Sequence, residues 1–136
     1  MKDWVLPTFG AFFLWGIWGF IPKITTKYID PRSAIVFEVV GGILLATVVL
    51  CLLNFKVEMH PKGVLLAIST GILGFLGALL FLFAVSKGPV SLVATLSALY
   101  PVISITLAVL FLNETITIKQ GVGVGFALIG MVLVST

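Results

Sequence analysis

Five long apolar runs, separated by short breaks that hold nearly all the charge, dominate this sequence. They lie at approximately 4–27, 34–53, 64–85, 90–112 and 118–134. Each is close to the roughly 20 residues that a helix needs to cross the hydrocarbon of a bilayer. Composition points the same way. Of 136 residues 60% are hydrophobic and 10% charged, where an average soluble domain has about 45–50% and about 25%. Eight basic and five acidic side chains cannot cover the surface of a water-soluble domain of this length, so a soluble enzyme is excluded. Lipid offers no partner to unpaired backbone groups, and barrel strands alternate polar and apolar residues, so the runs are expected to be helices. The expected fold is an all-α integral membrane protein, a bundle of five transmembrane helices forming one domain over 1–136. Its expected place is the cell (cytoplasmic) membrane, as a multi-pass protein in contact with the lipid bilayer.

The net charge of +3 suits loops that face anionic headgroups. The Lys and Arg residues are dispersed, which gives no footprint for nucleic acid. Cys51 lies in an apolar run and is read as core packing. Met1-Lys2-Asp3-Trp4 opens a stretch rich in Phe and Trp with no small-residue cleavage pattern, so it reads as a mature helix rather than a signal peptide. No internal repeat, metal-ligand cluster, nucleophile triad or phosphate loop is visible. The chain is therefore expected to be no enzyme and to carry no cofactor and no metal.

Five crossings put the two ends on opposite sides, so the basic residues can be sorted by side. One side receives Lys2, Lys56, Lys62 and Lys119; the other receives Lys23, Lys27, Arg32 and Lys87. Four face four. The charge rule sets no preferred orientation, and insertion in both directions, a dual topology, becomes a reading to test. Two oppositely inserted copies can pair about an axis in the membrane plane, the arrangement that fused transporters reach with inverted repeats.

Small residues mark helix-packing faces, because they let backbones approach closely where lipid removes the hydrophobic drive. Gly71, Gly74 and Ala78 share a face of the third run, and Gly121 and Gly125 form a GxxxG spacing in the fifth. Glu38 is the one acid inside an apolar run. An intramembrane carboxylate is a functional hypothesis with a partner to be named. Lys23 is its best local partner, at the end of the first run on the same side. Two readings stand: a proton-titrating or cation-binding carboxylate, and a structural Glu38–Lys23 pair near the interface. Trp15 and Trp18, at i and i+3, form either one wall of a cation site or a packing stripe. Tyr100-Pro101 bends the fourth run, where Ser97, Tyr100 and Ser104 share a face. Those three either wall a polar substrate or bond to their own backbone. Glu114 reads as an interfacial cap or pair, and His60 as a solvated loop residue.

The stretch from Leu99-Tyr100-Pro101-Val102-Ile103-Ser104 through Leu112-Asn113-Glu114-Thr115-Ile116-Thr117 to Gly121, Gly125 and Gly130 resembles the EamA domain of the drug/metabolite transporter superfamily. The matching elements are a proline in helix four, an acid just after it, a Thr117-x-x-Gln120 segment and a glycine-bearing last helix. Trp15-Gly16 followed by Lys23 is similar to the family's first helix. The resemblance covers essentially the whole chain. It implies a transporter of small metabolites, amino acids or drugs, and typical members carry two such domains where these residues carry one. A homodimer is the expected way to complete the machine, with a small-molecule substrate bound between protomers or in a groove of helices one, two and four. Glu38 stands where the family resemblance implies a base. That departure turns the expectation toward organic cations, by analogy with the small multidrug resistance proteins, whose membrane glutamate lies on a different helix. Non-transporting membrane subunit of a hetero-oligomer and lipid flippase are the alternatives.

Overall fold

The computed structural model describes residues 3–135, so Lys2, counted above among the basic residues, lies outside them. Its contacts divide the chain into two units, Met1–Lys87 and Gly88–Thr136. The first holds α1 (Val5–Thr25), α2 (Pro31–Leu52) and α3 (Pro61–Lys87); the second holds α4 (Val90–Ser97), α5 (Tyr100–Leu112) and α6 (Ile118–Ser135). The expected five spans are present, the fourth being divided into α4 and α5. Among the described residues no strand occurs.

In the first unit α3 packs against both α1 and α2. Its core sits where α1 ends, α2 begins and α3 completes its last turns. Buried there are Pro22, Pro31, Ala34, Ala78, Phe81, Leu82 and Val85. Outside that cluster large apolar side chains are exposed along all three helices, as a lipid-facing surface requires. The closest glycine contact is between α2 and α3, where a Cβ on Gly42 would meet the tip of the Phe75 ring at 3.0 Å. Cys51 is exposed and takes no part in the core, contrary to the packing role expected of it. It sits in the last turn of α2, at the far end of the helix from the buried cluster.

Helix ends differ from expectation in an instructive way. Residues 29–33 read as a break, yet α2 starts at Pro31. Asp30 accepts a hydrogen bond from the Arg32 N–H at 2.8 Å while Pro31, whose fixed φ suits a first turn, opens the helix. His60, exposed in the loop as expected, also caps the start of α3. Its Nδ1 accepts from the Gly63 N–H at 3.3 Å and its carbonyl from Val64 at 2.9 Å.

In the second unit α4 packs against α6. The bend expected at Tyr100-Pro101 is a break of two residues, Ala98 and Leu99. Pro101 has no N–H to give the preceding turn, and Leu99 N–H bonds instead to the Leu96 carbonyl at 3.2 Å in a tighter turn. Asn113 ends α5 in the left-handed region at φ 53°, a conformation that asparagine tolerates. The Glu114 N–H then reaches back to the Ala108 carbonyl at 3.3 Å. Helix α6 opens on a reciprocal cap. Gln120 Oε1 accepts from the Thr117 N–H at 2.8 Å and from its hydroxyl at 2.9 Å, and the Gln120 N–H donates to Thr117 Oγ1 at 3.3 Å. The Thr-x-x-Gln pattern thus has a local physical cause. Gln120→Leu should leave the Thr117 N–H without its acceptor and cost about 1 kcal/mol of local stability. Amide hydrogen exchange at Thr117 should accelerate accordingly, with α4 unaffected.

Candidate functional site

The first unit sets its charged and aromatic candidates at different depths. Helix α1 ends at Thr25 and α2 begins at Pro31 on the same membrane side. At about 1.5 Å per residue, Lys23 lies about 3 Å inside the end of α1, and Trp18 lies about 10 Å inside it. Glu38 lies about 10 Å beyond the start of α2, deeper than a helix starting at Ala34 would place it. Trp18 and Glu38 therefore share a level, and Lys23 does not.

Lys23 has a partner on α3 that its sequence position did not suggest. Its Nζ donates to the Val85 carbonyl at 2.7 Å. That carbonyl belongs to the last turn of α3, whose end carries the negative pole of the helix dipole and carbonyls without intrahelical donors. The ammonium thus ties the end of α1 to the end of α3, beside buried Leu82 and Val85. The Glu38 carboxylate stands one turn beyond buried Ala34, on the same side of α2, and is itself half-buried. Trp18 meets Phe81 of α3 with ring centroids 5.3 Å apart and planes tilted by 31°, within the range of favourable aromatic pairs. It remains 41% exposed, whereas Trp15, a turn deeper, is 62% exposed. An apolar groove of about 520 Å³ runs between α2 and α3, with Ile35, Ile68, Gly71 and Phe75 in its walls.

Ser97, Tyr100 and Ser104 flank the break in the second unit. The Ser97 hydroxyl donates to the Val93 carbonyl at 2.6 Å, and that of Ser104 to the Tyr100 carbonyl at 3.4 Å. Thr95 and Thr106 bond in the same i to i−4 manner, the usual answer to a hydroxyl in lipid. Tyr100 is 54% exposed. A Cβ placed on Gly71, Gly74, Gly121 or Gly125 would meet no atom within 4 Å, while Ala78 is buried. Sequence reasoning missed Val85 and Phe81, which hold Lys23 and Trp18. Neither carries a signal of its own, since a carbonyl and a phenyl ring become partners only through the packing of α3.

The described residues thus combine an acid half-buried in α2, a proline break in the fourth span and a capped last helix. Residues 3–136 match the EamA-like transporter family. The chain belongs to that family. An uncharacterized protein of Methanocaldococcus jannaschii is 34% identical over 121 residues, covering 89% of this chain and 88% of the relative. No solved structure matches the chain. As an EamA-like protein it is a multi-pass membrane protein of a transporter family.

Proposed function

We propose that this EamA-like chain, 1–136 acting as a single domain, is a membrane transporter of small metabolites or organic cations. It works by alternating access as an antiparallel homodimer in the cell membrane. The observation that carries this reading is the four-to-four division of basic residues across five crossings, in a chain with one family domain. The archaeal relative supports it, since the match takes in 88% of that protein too and leaves no room there for a second domain. In the dimer the open faces at Gly71, Gly74, Gly121 and Gly125 meet the other copy, and one bundle rocks against the other about a site near the membrane centre.

Glu38 is the coupling residue. It exchanges a proton for a cationic substrate, and Trp15 and Trp18 offer the aromatic wall that such a cation favours. Tyr100, with Ser97 and Ser104, contributes polar groups beside the break. Lys23 serves the geometry of the site by holding α1 on α3. Reporters fused in turn to each end should each be found on both sides of the membrane, in comparable amounts. A single fixed orientation rules out the antiparallel dimer and favours the subunit of a hetero-oligomer, whose partner gene would carry the opposite Lys/Arg bias.

A further inference from the structure

A second groove lies wholly within the second unit, between α5, the 113–117 linker and α6. Its volume is about 640 Å³, and Ser104, Ala108, Glu114, Gln120, Gly123 and Ala127 are among its walls. Glu114 is exposed at the linker end. From there the groove follows α5 inward to Ser104, about 12 Å from the end of that helix, and α6 inward to Ala127, about 14 Å from its start. The groove is thus acidic where the membrane meets water and apolar where it enters hydrocarbon.

Charge singles out Glu114. Glu114 and Lys119 are the charged side chains of residues 88–136; Glu114 lines the groove and Lys119 does not. Among the described residues Glu114 has no ion-pair partner. The Gln120 oxygen is occupied by the cap on Thr117, so the carboxylate is the strongest acceptor at the groove mouth. We propose that this groove binds an amphiphilic ammonium compound, with its cationic head on Glu114 and its apolar tail along α5 and α6. Such a ligand satisfies both ends at once. An anion is repelled by the carboxylate, and a purely apolar occupant leaves it unmatched.

Glu114, Gly123 and Ala127 have no part in the function proposed above, although Ser104 is common to both, and the test reads binding rather than transport, so the two readings can fail separately. The full chain in phosphatidylglycerol nanodiscs is titrated with decyltrimethylammonium bearing a dansyl group at its tail, and with dansyl-decanol as the neutral probe. Glu114→Gln should weaken the cation about fivefold, as for the loss of one exposed ion pair, and leave the alcohol unchanged. Gly123→Phe, which fills the groove, should weaken both probes alike. Ala127→Leu is the milder filler to use if circular dichroism shows that the phenylalanine variant has lost helix. Replacing the lipid by phosphatidylethanolamine identifies the source of the ligand. Competition marks a lipid amine as the occupant, and undiminished affinity marks a free amphiphile. Equal cation binding by the wild type and Glu114→Gln, or an equal loss of the alcohol in that variant, overturns the proposal.

Discussion

Glu38→Gln should abolish uptake driven by a pH gradient while leaving the protein folded. The chain is reconstituted in vesicles with an acidic interior, and accumulation of ethidium is followed from outside. If Glu38 exchanges a proton for the cation, the wild type accumulates ethidium as protons leave, and the glutamine variant falls by about tenfold or more, to the leak of empty vesicles. Such a loss is at least ~1.4 kcal/mol of coupling. Glu38 stands about 10 Å inside α2, half-buried and one turn beyond Ala34, where the amide of glutamine fits the same space. A loss in Glu38→Gln is therefore a loss of charge and not of packing, and Glu38→Asp should recover part of the signal. Uptake by Glu38→Gln equal to that of the wild type removes Glu38 from the mechanism. Dual insertion does not blur this measurement, because an antiparallel dimer presents the same pair of orientations to either side.

The largest effect on stability is expected at Leu82, which is fully buried where α3 meets the end of α1 and the start of α2. Leu82→Ala opens a cavity in the small packed core of the first unit, and the loss should be about 2–4 kcal/mol, in the range of buried leucine truncations. Leu80, two residues earlier on the same helix, is 62% exposed. In a membrane its exposed face exchanges lipid contacts for lipid contacts, so Leu80→Ala should cost less than about 0.5 kcal/mol. Thermal or denaturant unfolding in detergent micelles compares the pair directly. Similar losses for both would show that α3 is held by its hydropathy alone and not by the cluster around Val85.

Much of the fold was legible because lipid is a demanding solvent. A run of apolar residues long enough to span it must be a helix, so the five spans and their breaks follow from composition along the chain. Glu114-Thr115-Ile116-Thr117 leading to Gln120 was legible as a motif, and its cap involves residues three apart, which sequence spacing can show. The start of α2 was misplaced because Asp30 and Pro31 look like a break, although an aspartate followed by proline is also a helix start. The divided fourth span was legible only as a bend. A proline removes one donor, but whether the turn before it curves or opens depends on the surrounding backbone.

The candidate site was less legible. Glu38, Lys23, Trp15 and Trp18 were found by their rarity in apolar runs, which says that each is costly at its depth and nothing of what each touches. Lys23 looked like the partner of Glu38 because both belong to one side of the membrane. Seven ångströms or so separate the two in depth along their helices, and the Lys23 ammonium also reaches a carbonyl of α3 at 2.7 Å, a contact that no sequence position announces.

By itself the sequence determined that this chain forms five apolar helical spans, that it belongs among the EamA-like proteins, and that its basic residues divide four to four between the two sides. Those properties are sums over residues or local patterns, each set by the exchange of one side chain or one turn between water and lipid. Only the tertiary structure decided that Lys23 bonds to Val85, that Trp18 meets Phe81, that Phe75 lies against Gly42, and that Glu114 lines a groove. Each of these joins residues distant in the chain or on facing elements. Their meeting depends on how helix surfaces fit, and in lipid that fit is set by shape and hydrogen bonding, with no hydropathy difference to announce it.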